Sequence, residues 1–184
     1  MTNLNQNQKA KIVLITGVAS GIGYELARLF AKNNFSLILV DINEPKLSQV
    51  DRELQEEFDI TIQTITQDWS IPMASNNIYN QVKKSGKIVD ILVNNAGFGN
   101  YGAFQNTDLH TEIAMMQVNM VCLTHLTKLF LPDMIQKSDG KILNIASAAA
   151  FQPGPLMAVY FATKAYVLSL SEAINNELEV TGVT

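Results

Sequence analysis

Lys11-Ile12-Val13-Leu14-Ile15-Thr16-Gly17-Val18-Ala19-Ser20-Gly21-Ile22-Gly23 is the stretch that decides the reading of this chain. Four successive apolar residues, Ile12 to Ile15, predict a strand buried on both faces, as in a parallel sheet. A glycine-rich turn follows, and the pattern then predicts a helix over about 22–33. Glycines at such a turn let the backbone bend tightly and come close to a pyrophosphate. The helix start adds unpaired N–H groups and partial positive charge. Gly17, Ser20, Gly21, Ile22 and Gly23 are therefore candidate cofactor-binding residues, although a tight turn could need its glycines for its own sake. The spacing is T-G-x-x-x-G-I-G, not the G-x-G-x-x-G fingerprint.

Outward from this turn, strand and helix patterns alternate. Strands are predicted at 11–16, 37–41, 61–66, 89–94 and 141–146. Helices are predicted at 44–57, from Pro72 to about 85, over 107–137 with an interruption near Pro132, and from Pro155 to about 180. Gly86 suits a helix C-terminal cap. Five such alternations predict βαβ units and a Rossmann-type doubly wound parallel sheet (class α/β) with helices on both faces. No repeat or linker interrupts it. One domain is expected over 11–184, after a polar, disordered tail over 1–10.

Composition narrows the partners. The chain has 184 residues, 47% hydrophobic and 16% charged, with a formal net charge of −4. No basic block exceeds two residues, so neither nucleic acid nor an anionic membrane is an expected partner. The runs Ile12–Ile15 and Leu37–Val40 are too short to span a bilayer. One cysteine, Cys122, and two distant histidines, His110 and His125, supply neither an internal disulfide nor a zinc set, so no metal is expected. A cytoplasmic protein is the expectation.

Asp41 ends the second strand, eighteen residues after Gly23. An acid there can accept hydrogen bonds from adenosine ribose hydroxyls and repels a 2′-phosphate. Ser20 precedes Gly21 where a base could have stood, and the nearest base after Asp41 is Lys46. NAD(H) is thus favoured over NADP(H). Asp41 could instead simply cap the next helix.

Tyr160 and Lys164 lie four apart on a predicted helix and share a face. A phenol ionises near pH 10, so proton exchange near neutrality requires its phenolate to be stabilised by about 4 kcal/mol. A neighbouring ammonium is one source. Ser147, thirteen residues before Tyr160, follows the fifth strand, at the sheet edge where ligands bind. Its hydroxyl can bond a carbonyl oxygen.

Together, T-G-x-x-x-G-I-G at 16–23, Asn94-Asn95-Ala96-Gly97, Asn119, Ser147, Tyr160 and Lys164 resemble the short-chain dehydrogenase/reductase family, in order and over nearly the whole chain. The resemblance implies a nicotinamide-dependent oxidoreductase acting on a small secondary alcohol or ketone. The stretch 144–167 resembles a ketoacyl-reductase-like branch, which implies 3-oxoacyl-type chemistry. Tyr160 would then be the acid or base, Lys164 would tune it and bind the nicotinamide ribose, and Ser147 would orient the carbonyl. Asn119 would hold a water that links Lys164 to solvent. Asn95, Ala96 and Gly97 would run beside the adenosine ribose. Asp68 would meet the adenine amino group, with a backbone contact from Trp69. Each residue also has a plainer reading. Asn119 could bond backbone, Asp68 could cap a helix before Pro72, Asn94 could brace the sheet, and Trp69, Met115, Met116 and Cys122 could simply pack.

The family also implies a homodimer or homotetramer through helices near 107–137 and 160–180. Met115, Val118, Cys122 and Leu126 would form a stripe that lies at that interface or faces the sheet. Family members continue past the point matching Thr184 with further strands and a substrate lid. The sequence is thus expected to be part of a longer product. A chain truly ending at Thr184 would leave strand 141–146 as an edge, and would be poorly soluble and nearly inactive. The rival expectation on the same fold is a non-catalytic dinucleotide-binding or sensor protein. It would require loss of a catalytic group, and none is lost.

Overall fold

The structure is a computed structural model that describes residues 10–184. The expected disordered tail therefore lies outside the described residues, apart from Ala10. Five parallel strands form one sheet in the order β3-β2-β1-β4-β5: β1 Ile12–Thr16, β2 Ser36–Asp41, β3 Ile62–Thr66, β4 Ile91–Asn94 and β5 Lys141–Asn144. This is the expected doubly wound sheet. Its order reverses at β1, so the cleft at a topological switch point opens beyond the C-terminal ends of β1 and β4.

Side chains alternate along each strand, and β1 shows how that builds two cores. Val13 and Ile15 join Leu37 and Leu39 of β2 under α1 (Gly21–Lys32) and α2 (Glu44–Glu57), against Ala27, Ala31, Leu47, Val50 and Leu54. Ile12 and Leu14 join Ile38, Val40 and Leu92 on the other face. That face is covered by α3 (Ala74–Lys84), the segment 117–122 and α5 (Leu123–Lys137), with Ile174 of α6 (Ala158–Glu177) packed against them, while α4 (Leu109–Met116) packs on the segment 117–122 and on α6. The expected stripe of Met115, Val118, Cys122 and Leu126 is buried. Val118, Cys122 and Leu126 belong to the core cluster that includes the strand residues, so these three face the sheet.

Several boundaries differ from the sequence expectation, each for a local reason. The long helix does not break at Pro132. Proline removes a single N–H, and Phe130 and Met134 on either side of it stay buried, so α5 continues through it. The departure from α geometry comes earlier, as a π turn at Gln117–Cys122 that carries Asn119. The helical run Leu109–Lys137 is long and apolar enough to cross a membrane by length and composition. Here Val118, Cys122, Leu126, Phe130 and Met134 place much of that apolarity in the core. Helix α3 begins at Ala74 rather than Pro72, after Met73 takes a left-handed conformation (φ +66°). The segment from Pro155 does not start a helix. A 3-10 turn at Ala148–Phe151 comes first, and Leu156 at φ +65° delays α6 until Ala158. Strand β5 would be an edge, but Val183 bridges Gly140 in parallel, and Ile142 donates its N–H to the Thr184 carbonyl at 2.8 Å.

Candidate active site

The glycine-rich turn is held from two sides. The Gly17 N–H donates to the Val40 carbonyl at 2.8 Å. The Asn95 side-chain amide donates to the carbonyls of Thr16 (2.9 Å) and Gly17 (2.8 Å). The Thr16 hydroxyl oxygen accepts from the N–H groups of Asn95 (3.0 Å) and Ala96 (2.9 Å). Gly23 is required by close approach, because a Cβ there would stand 2.1 Å from the Gly17 carbonyl oxygen. Gly21 is at φ +59° with nothing near its missing side chain. Ser20 precedes α1 without bonding it through its side chain, so the first amides of α1 are available to an anion.

From this turn a cleft of about 860 Å³ runs along the C-terminal ends of the strands. Gly17, Ser20, Ile22, Asn95, Ala96 and Gly97 line its middle, and Asp41, Asp68 and Trp69 line the β2–β3 end. Ser147, Tyr160 and Lys164 line the end beyond β5. Gly21 and Gly23 shape the turn without lining the cleft, and Asn119 stands behind its wall.

Asp41 is buried. Its Oδ2 accepts from the Ala19 N–H at 2.8 Å and its Oδ1 from the Asn43 N–H at 2.9 Å. It thus ties the glycine-rich turn to the end of β2. The cap of α2 is Asn43, whose side chain accepts from the Lys46 N–H. Asp68 neither caps α3 nor stands free: its Oδ1 accepts from the N–H and hydroxyl of Ser70, at 2.8 and 2.7 Å. Trp69 is buried and its carbonyl accepts from the Cys122 thiol at 3.2 Å. Burial pushes the Cys122 thiol pKa up, consistent with a packing residue. Asn94 braces the sheet by donating to Thr127 of α5 and Asn144 of β5.

At the other end, Lys164 is 6% exposed and its Nζ donates to the Ile145 carbonyl at 2.8 Å. It lies 5.9 Å from the centre of the Tyr160 ring. Burial holds its pKa below that of an ordinary lysine. Among the described residues the Tyr160 hydroxyl makes no hydrogen bond, so its proton is free for a ligand. Ser147 Oγ accepts from the Ala149 N–H at 3.1 Å, capping the 3-10 turn, and keeps its own proton free to donate. Gly97 and Gly99 are needed nearby. A Cβ at Gly97 would come within 2.9 Å of Asn119 Oδ1 and 3.6 Å of Lys164 Nζ, and one at Gly99 within 3.2 Å of the Tyr160 ring.

Asn119 does not reach into the cleft with its carboxamide. Oδ1 accepts from the Phe98 N–H, and Nδ2 donates to the Phe98 carbonyl and to the Thr163 hydroxyl, both at 3.0 Å. Sequence reasoning missed Thr163, and with it Lys46 as a cleft-lining residue. The available signal was position, since Thr163 directly precedes Lys164 on the same helix.

A parallel sheet with an anion-accepting glycine turn at its switch point, and a Ser–Tyr–Lys cluster at the far end of the same cleft, defines a dinucleotide-binding α/β protein with acid–base groups. Residues 11–184 match the short chain dehydrogenase family profile, and the chain belongs to that family. It is 34% identical over 176 residues to the mouse (Mus musculus) very-long-chain 3-oxoacyl-CoA reductase and 35% to the human one, covering 92% of this chain and 55% of each relative. The chain therefore spans about half the length of these curated relatives. Among solved structures, the bulky-bulky ketone specific alcohol dehydrogenase of Comamonas testosteroni superposes with a TM-score of 0.89 at 32% identity, covering 94% of this chain and 69% of that one. The short-chain dehydrogenase of Sphingobium yanoikuyae, in complex with NADPH, gives 0.88 at 32%, covering 94% and 68%.

Proposed function

We propose that this chain carries the cofactor-binding and catalytic part of an NAD(P)(H)-dependent oxidoreductase acting on a secondary alcohol or ketone. The observation that carries the reading is the convergence of Ser147, Tyr160 and Lys164 at one end of a cleft whose middle is the glycine-rich turn. The cleft fits a dinucleotide: no side chain caps α1, and Gly17, Ser20 and Ile22 line the cleft beside its first amides. The turn and the α1 amides would hold the pyrophosphate, Asn95, Ala96 and Gly97 would flank the adenosine half, and Lys164 would take the nicotinamide ribose. A bound nicotinamide supplies the hydride chemistry. Within the protein, Tyr160 holds the proton for the carbonyl oxygen, and Ser147 donates its free hydroxyl to orient that oxygen. Lys164 Nζ, anchored on Ile145, places its positive charge 5.9 Å from the centre of the Tyr160 ring.

A preference for NAD(H) over NADP(H) is part of this proposal. It is supported by the Asp41 carboxylate, fixed by two backbone amides at the β2 end of the cleft, and by the uncharged Ser20 and Ile42, although the cation Lys46 also lines that end. A 3-oxoacyl-type substrate is supported by the names of the curated relatives. A homodimer or homotetramer is supported by Leu109, Ile113 and Val121, which stay exposed on α4 and the π turn; light scattering at micromolar concentration checks it, and a monomer contradicts it. The test of the activity is consumption of NADH or NADPH against a panel of ketones and 3-oxoacyl thioesters. Turnover that Tyr160→Phe abolishes supports the reading. Undiminished turnover in Tyr160→Phe removes the mechanism, and dinucleotide binding without any turnover supports a sensor instead.

A further inference from the structure

We propose that Thr163 is a positioning residue that sets Tyr160 against Lys164 by bridging the π turn to the first turns of α6; this rests on the oxidoreductase reading of the site.

Thr163 is 1% exposed, and its hydroxyl uses both of its capacities inside the protein. It accepts from Asn119 Nδ2 at 3.0 Å and donates to the Tyr160 carbonyl at 2.7 Å. Asn119 is itself 2% exposed and grips Phe98 through both its N–H and its carbonyl. One buried network therefore joins three segments: the cleft wall at Phe98, the π turn, and the backbone of Tyr160. A threonine hydroxyl bonded back to its own helix is ordinarily a local matter that bends the helix slightly. Here the same oxygen also receives a donor from another element, so the position of the Tyr160 backbone is tied to the π turn.

This matters because Lys164 is fixed independently. Its Nζ is anchored on the Ile145 carbonyl, at the end of β5. The separation of phenol and ammonium depends on both ends being held, one at Ile145 and the other through Thr163. If the hydroxyl is lost, Tyr160 keeps its packing against Gly99 and its place in the α6 ladder, but the first turns of α6 lose their tie to Asn119, while Lys164 Nζ keeps its anchor on Ile145. The field that Lys164 exerts on the phenol weakens as the two drift apart. Lys164 is the charged group facing Tyr160. The other charged residues lining the cleft, Asp41, Lys46 and Asp68, follow β2 and β3, at the opposite end.

Thr163→Val keeps the shape and removes the hydroxyl; Thr163→Ser keeps the hydroxyl. The readout is the ionisation of Tyr160, followed by ultraviolet difference titration against the matching Tyr160→Phe background, which needs neither cofactor nor substrate. Thr163→Val is expected to move the Tyr160 midpoint upward by about half a pH unit or more, and Thr163→Ser to leave it at the wild-type position. In a turnover assay, kcat is expected to fall roughly tenfold in Thr163→Val, with the dinucleotide Kd unchanged. A Thr163→Val protein whose Tm falls while its Tyr160 midpoint stays at the wild-type value overturns the proposal, because that is what a purely structural threonine would do. Should the valine variant fail to fold, Thr163→Ala against Thr163→Ser makes the same comparison: a raised midpoint in the alanine variant alone supports the brace, and equal midpoints overturn it. A wild-type chain that binds neither NADH nor NADPH would instead overturn the oxidoreductase reading, and the Tyr160 titration would still decide the brace.

Discussion

Gly23→Ala tests how tightly the phosphate turn is built. The new Cβ would lie 2.1 Å from the Gly17 carbonyl oxygen, 2.9 Å from the Gly17 carbonyl carbon and 2.5 Å from Asn95 Nδ2. An ordinary carbon–oxygen contact is about 3.3 Å or longer, so α1 must retreat from the turn by roughly 1 Å. Overpacking of this kind costs about 1–3 kcal/mol. Displacing Asn95 endangers its bonds to Thr16 and Gly17, at about 1 kcal/mol each. Alanine returns about 1 kcal/mol through its better helix propensity. The net expectation is a loss of roughly 2–4 kcal/mol, a large share of a typical domain's stability. Gly21→Ala is the control. Nothing lies within 4 Å of its Cβ, so only the left-handed backbone at φ +59° costs, about 1–2 kcal/mol. Urea unfolding of both variants, alongside NADH titration, measures the contrast. Gly23→Ala unfolding within about 1 kcal/mol of wild type, with unchanged NADH affinity, would refute the reasoning.

Three other substitutions or conditions test separate parts of the site. Tyr160→Phe should lose turnover while binding dinucleotide nearly normally, since the ring stays and only the proton leaves; parallel kinetics and titration check this. Asp41→Ala should narrow the gap between NADH and NADPH affinities, and should also destabilise the fold, because the Ala19 and Asn43 amides lose their acceptor. Lys164 has a pKa lowered by burial from 10.5. As pH falls from that value the unfolded chain takes up its proton first, so the folded state loses stability down to the folded pKa. Urea melts across the alkaline range should show stability rising with pH toward 10.5, and Lys164→Met should lack that rise.

Much of the fold could be read from residues because burial and turn chemistry agree there. The run Ile12–Ile15 and the glycine turn gave β1 and its helix, and the helix expected over 44–57 is α2. Pro132 misled because a single lost N–H is outweighed by the buried face around Phe130 and Met134. The π turn left no trace, since Gln117–Cys122 continues the apolar periodicity on both sides. The late start of α6 depends on Leu156, whose carbonyl accepts from the Gly102 N–H across the chain; no local pattern encodes that tie. In the site, the spacing of Ser147, Tyr160 and Lys164 was legible, because helix periodicity and strand ends place side chains directly. Hydrogen-bond partners were not. Asp41 was read as a ribose acceptor; the two backbone amides that its oxygens also meet, from Ala19 and Asn43, were not foreseen. Asn119 was read as a water holder; the bonds of its carboxamide to Phe98 and Thr163 were not foreseen. Such partners come from segments remote in sequence, and only the folded chain brings them together.

The central claim is that one dinucleotide lies along this cleft, from the glycine-rich turn to Lys164. Titration of NADH into the wild-type chain, Gly23→Ala and Lys164→Met tests it most directly, because the two substitutions act on different parts of the cleft. One binding site is expected in the wild type, with affinities weakened about tenfold or more, roughly 1.4 kcal/mol at least, in each variant that remains folded. No binding by the wild type, or binding that neither substitution alters, would contradict it.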